Sequence, residues 1–97
     1  MSAEPATVYN KSEDVVFRKI ADEFVLVPIR QKAVDLKSIY TLNETGAFIW
    51  EMVDGSKTVS EIKERIVRDF EADPASAESD TREILSQLEA LTFIQRA

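Results

Sequence analysis

The hydrophobic pattern changes its period near the middle of the chain. VVFRKI (15–20) and EFVLVPI (23–29) are rich in β-branched and aromatic residues and are separated by a polar break at Asp22 and Glu23. Together they predict a hairpin. The second run is apolar at both parities, with Phe24 and Leu26 on one and Val25, Val27 and Ile29 on the other. Such a strand is expected to be covered on both sides. Pro28 has no N–H to give to a ladder, so it is expected at the strand's end or at a free edge. After the polar loop RQKAVD (30–35), LKSIYTL (36–42) predicts a third strand. Its buried face is open at this point, because Leu36, Tyr40 and Leu42 share one parity and Ile39 takes the other.

Beyond Leu42 the period is helical. Asn43 is a good N-cap, because its side-chain oxygen accepts from a first-turn amide. Leu42, Gly46, Ile49, Trp50 and Val53 then form one stripe. Gly46 inside a helix costs about 1 kcal/mol relative to alanine, so another element is expected to approach closely there. Gly55 reads as the left-handed stop. Thr58 and Glu61 form a capping box for a second helix, with Val59, Ile62, Ile66 and Phe70 on its buried face. Asp73-Pro74 opens a third, with Ala77, Thr81, Ile84, Leu88 and Leu91 on one face and Leu85 beside them. Phe93 and Ile94 end the chain as an apolar anchor.

The order predicts an α+β domain, winged helix-turn-helix-like, with a three-stranded antiparallel sheet followed by three helices. Residues 1–14 are polar and without period, and are expected to be a flexible N-terminal arm. Residues 15–97 form the domain.

Composition narrows the function. The chain has 97 residues with neither histidine nor cysteine. That removes the commonest general base, thiol nucleophiles, disulfides and histidine–cysteine zinc sites. An enzyme is not expected, and neither is a catalytic residue, a bound metal or a cofactor. No apolar run is long enough for a membrane span, and the N-terminus does not read as a secretory signal. A cytoplasmic location and no membrane partner are expected.

The net charge is −6, and the acid lies in the helical half. This matters because a helix-turn-helix invites a DNA-binding reading through its third helix. That helix carries Glu78, Asp80, Glu83 and Glu89 against Arg82 alone, so it repels phosphates. No nucleic acid is expected; a winged-helix DNA-binding regulator is the alternative. The acids Asp69, Glu71 and Asp73 lack the spacing of a calcium loop and read as a solvated helix end followed by a cap. Trp50 reads as core, which leaves Phe48 and Met52 available to a partner. The strand 36–42 is an edge. On physical grounds alone it stands equally as a docking edge and as one kept harmless by its short length and by Lys37.

The ordered set VVFRKI, EFVLVPI, LNETGAFIWEMVDGSKTVSEI and DFEADPASAESDTREILSQLEAL, closed by FI, resembles the PqqD-like family. These are small proteins related to protein D of pyrroloquinoline quinone biosynthesis, also called recognition elements for ribosomally made, modified peptides. The resemblance covers roughly residues 15–95. It implies a peptide-binding module that holds the leader of a precursor peptide and presents it to a modifying enzyme, often a radical S-adenosylmethionine enzyme. It further implies that the leader adds as a strand on the third strand, at Lys37, Ser38, Ile39, Tyr40 and Thr41. The facing helix positions it implies are Thr81, Arg82, Leu85 and Glu89. A monomer and a homodimer are both compatible, because a lone strand edge can pair with its twin.

Overall fold

A computed structural model describes residues 4–30, 33–34 and 39–97. The elements run β1 (Tyr9–Lys11), β2 (Val15–Ile20), β3 (Glu23–Arg30), β4 (Ala33–Val34), β5 (Tyr40–Leu42), α1 (Glu44–Met52), α2 (Val59–Asp69), α3 (Pro74–Ala90) and β6 (Ile94–Arg96). The fold is α+β, an antiparallel sheet followed by three helices.

The sheet is built on β3. On one side β2 pairs with it, from Val15 opposite Pro28 to Ile20 opposite Glu23. On the other side lie β4, with Ile29 opposite Val34, and β5, with Leu26 opposite Tyr40 and Phe24 opposite Leu42. The expected third strand 36–42 is described from Ile39 onward, and only Tyr40–Leu42 of it form β5.

The direction of each backbone group in β3 follows from one bond. The Ile29 N–H donates to the Asp14 carbonyl at 2.7 Å, on the β2 side. Neighbouring residues of an antiparallel strand point their polar groups to opposite sides. Glu23, Val25, Val27 and Ile29 therefore face β2, while Phe24, Leu26 and Pro28 face β4 and β5. Pro28 lies inside β3 and not at its end. Its missing donor faces away from β2, so it costs no bond of the β2–β3 ladder.

Side chains alternate independently of this. Leu26 and Pro28 are sealed beneath the helices, and Val25 is buried on the opposite face. Val27 is half-buried and Ile29 exposed, so β3 is only partly covered on its outer face.

The helices are capped as their sequences dictate. Asn43 accepts from the Gly46 N–H at 2.7 Å. Thr58 and Glu61 exchange both bonds of a capping box, at 3.1 and 3.0 Å. Asp73 accepts from the Ser76 N–H at 3.2 Å. The close approach at Gly46 is local: an added Cβ would lie 3.0 Å from the Leu42 side chain that leads into the helix. Gly55 is left-handed, with φ of 82°, two residues beyond the α1 cap Val53. Ile49, Trp50, Ile62, Ile66, Leu85 and Leu88 converge with Leu26 and Leu42 in one core. Phe48 turns to Phe70 of the α2 cap, edge-on at 5.2 Å, and so finds an apolar neighbour within the chain.

The N-terminal segment departs from expectation. Residues 5–12, expected to be a mobile arm, form a strap across the helices. The Thr7 and Pro5 carbonyls accept from the Val59 and Ser60 N–H groups at 2.9 and 3.0 Å. These are orphan amides at the start of α2, which need acceptors from outside the helix. The Tyr9 carbonyl accepts from Gly55 N–H at 3.0 Å, and β1 pairs antiparallel with β6. The Tyr9 ring is 1% exposed, and Phe93 and Ile94 are buried beside it in the same core. The segment shows no period because a strand this short buries one of its three side chains.

Candidate functional site: a strand edge beside a helix

Among the described residues the sheet has two free margins, the outer side of β2 and the side formed by β4 and β5. They differ in what stands next to them. The β5 margin lies against α3: the Tyr40 hydroxyl donates to Oε1 of Gln87, joining strand to helix. At the β2 margin Phe17 stacks on Phe24 of β3 at 5.8 Å, and Val15 and Phe17 pack against the core.

The backbone of β5 can be oriented by the same alternation. Phe24 and Leu26 aim their polar groups at β5, where they meet Leu42 and Tyr40. Leu42 and Tyr40 thus face β3, and Thr41 between them turns its N–H and C=O outward. Ile39 has the same parity. The Thr41 side chain is exposed, on the face away from the helices. A strand added here would find a donor and acceptor at Thr41 that are unpaired among the described residues, and alternate side chains of that strand would point toward α3.

The helical wall is a regular stripe. Gln87 touches Tyr40, and a cavity of about 220 Å³ is lined by Asn43, Thr45, Asp80, Glu83 and Ile84. Positions 80, 83, 84 and 87 follow the i, i+3, i+4, i+7 spacing of one helix face. As β5 runs from Tyr40 to Leu42 and on to Asn43, the facing helix positions run from Gln87 back to Asp80, so α3 is antiparallel to the edge. Ile84 packs against the core from this wall. Burial raises the Tyr40 phenol above its ordinary value, and the nearby Glu83 charge raises it further.

The residues expected on the helix lie elsewhere on α3. Thr81 and Leu85 are 0% exposed and belong to the core face. Arg82 is exposed and stands 3.9 Å from Glu78. Glu89 accepts from the Tyr9 hydroxyl at 3.2 Å and from Arg96 Nε at 3.1 Å, tying α3 to β1 and β6. Of the expected strand residues, Lys37 and Ser38 lie outside the described residues, Ile39 is 39% exposed, and Tyr40 and Thr41 lie in β5. The structure therefore brings Ile39, Tyr40 and Thr41 to one edge, and turns Thr81, Leu85 and Glu89 away from it. Asp80, Glu83, Ile84 and Gln87 face that edge. The signal for them was present in the sequence: once Ala77, Thr81, Leu85 and Leu88 are taken as the buried stripe, the next stripe round the helix is this one.

Among the described residues no group of acids could hold a metal ion, and no helix is long and apolar enough to cross a membrane. The exposed acids Glu78, Asp80 and Glu83 give α3 a surface unsuited to a phosphate backbone.

The sequence profile of the family described as coenzyme PQQ synthesis protein D (PqqD) matches residues 23–94. No curated protein matches the chain. Two solved structures are similar. One is TbiB1 in complex with the TbiA(beta) leader peptide, at 26% identity and a TM-score of 0.69, covering 89% of this chain and 94% of that one. The other is the solution NMR structure of the PqqD truncation of Methylobacterium extorquens PqqCD. It is described as a functional, stand-alone recognition element for ribosomally synthesized and post-translationally modified peptides. It has 23% identity and a TM-score of 0.75, covering 97% of this chain and 95% of that one.

Proposed function

We propose that this chain, which belongs to the family of coenzyme PQQ synthesis protein D, is a recognition element for the leader of a ribosomally made precursor peptide. The leader binds as an added strand on β5, and the chain presents the rest of the precursor to a separate modifying enzyme, a radical S-adenosylmethionine enzyme. The observation that carries this is the outward-facing backbone of Thr41 beside a helix that supplies a second wall. Main-chain bonds give such a site affinity for an extended peptide, and the flanking wall gives it selectivity. Similarity to a structure bound to a leader peptide supports the same reading.

The chain itself supplies binding and orientation. With no histidine and no cysteine it has few groups for acid–base or nucleophilic work near neutral pH, so the chemistry belongs to the partner. Holding the leader raises the effective concentration of the remaining peptide at the enzyme.

The test is a titration with the leader of the precursor encoded beside the gene, followed by amide chemical shifts. Binding with a Kd near or below about 1 μM is expected, equivalent to roughly 8 kcal/mol. Shifts should concentrate at Ile39–Leu42 and Asp80–Gln87. Shifts concentrated along β2, or no binding, would overturn the assignment.

A further inference from the structure

The groove beside β5 is not uniform along its length. At one end the half-buried Tyr40 ring offers an apolar floor. At the other, past Leu42, the cavity between the start of α1 and the middle of α3 carries the carboxylates of Asp80 and Glu83 beside Asn43 and Thr45. Both acids are exposed, and neither has an ion-pair partner among the described residues. The nearest base along the helix, Arg82, points to the Glu78 side.

We propose that this end of the groove selects a cationic side chain: the bound peptide places a lysine or arginine between Asp80 and Glu83, two or four residues along from an apolar residue seated on Tyr40. The inference rests on the strand-addition reading above and adds the chemical class of peptide to it. The spacing follows from strand geometry. An added strand points every second side chain into the groove, and successive ones of that set are about 7 Å apart. The step from Tyr40 to Asn43 spans three residues, or roughly 10 Å of extended chain, so the apolar and acidic ends match inward-facing positions one or two repeats apart. A carboxylate at the cationic position would face two like charges and is excluded, which gives discrimination by repulsion as well as attraction.

The experiment is a selection from a displayed random-sequence peptide library on the full chain. It is repeated on Asp80→Asn/Glu83→Gln, on Asp80→Lys/Glu83→Lys and on Thr41→Pro. The wild-type winners should share a lysine or arginine at one aligned position, with an apolar residue two or four places away. The amide variant should lose that enrichment. Exchanging the base of a winning peptide for glutamate should weaken binding to wild type about tenfold, the weight of two half-exposed ion pairs and the repulsion that replaces them. The lysine variant should restore the glutamate peptide. Winners that lose binding to Thr41→Pro but show neither a basic position nor the charge exchange would overturn this inference and leave the strand reading intact. Winners insensitive to Thr41→Pro would overturn the strand reading and this inference with it. A selection that returns no peptide would count against both.

Discussion

The Tyr40 hydroxyl donates to Oε1 of Gln87, and this bond is the direct tie between the edge strand and the third helix. It joins the two walls of the groove proposed for the added strand. Both side chains are solvent-accessible, so the bond shapes the groove more than it supports the fold. Tyr40→Phe should shift stability by no more than about 1 kcal/mol, the net worth of one solvated hydrogen bond, as read from urea midpoints. A loss of several times that size would make Tyr40 a core residue and not a groove residue.

The strap formed by β1 makes a second expectation. Tyr9 is a sealed core side chain, and its hydroxyl reaches Glu89, which also holds Arg96. Tyr9→Ala should cost roughly 3–5 kcal/mol, as for other large core aromatics. Removing residues 1–11 should cost at least as much, because the carbonyls that serve Val59 and Ser60 go with them. A truncated chain with an unchanged denaturant midpoint would show that these residues are an arm after all.

Stability should depend on pH at the alkaline end. Burial raises the Tyr9 phenol above its ordinary value, the Glu89 charge and hydrogen bond raise it further, and Arg96 opposes them. Tyr40 is raised by burial and then by Glu83. A folded-state pKa above the unfolded one means that the folded protein holds its phenol protons more tightly. That stability is complete below the ordinary value of 10.0 and is lost as pH rises through the folded values. Denaturant midpoints measured across this range should fall above about pH 10, and Tyr9→Phe should flatten the fall. A midpoint that stays level into that range would contradict the burial of both phenols.

Thr58→Ala should destabilise the chain by about 1 kcal/mol, because it removes the acceptor that serves the Glu61 amide. Thr58→Ser should restore most of the loss. Equal midpoints for all three proteins would mean that the capping box contributes nothing.

The helical half was legible because its signals are local. Asn43, Thr58 with Glu61, and Asp73 with Pro74 each act within one turn, and each is found capping the helix it announces. The hairpin of β2 and β3 was legible for the same reason. The strap was not, because its order comes from partners far along the chain: Val59, Ser60, Gly55 and β6. On the third helix the apolar stripe was visible, and its flank became readable only once packing had fixed which residues of that stripe are buried. Whether Leu85 or Ile84 borders the groove depends on the rotation of α3 against the sheet, about one residue's worth, which tertiary packing sets. The consequence is practical: Leu85→Asp would bury a charge in the core, whereas Ile84→Asp tests the groove on a folded protein.

In the proposed complex a peptide adds to β5 through the outward backbone of Thr41. Thr41→Pro tests it most directly, because proline removes that one donor while Tyr40 and Leu42 keep their bonds to β3. The measurement is calorimetry with the leader peptide on wild type, Thr41→Pro and Ile39→Pro, with folding checked by denaturant midpoint. The account predicts that Thr41→Pro weakens binding by about tenfold or more, one charge-neutral main-chain bond together with the fit that depends on it, while the fold persists. Undiminished affinity in both folded proline variants would contradict it and place the peptide elsewhere on the protein.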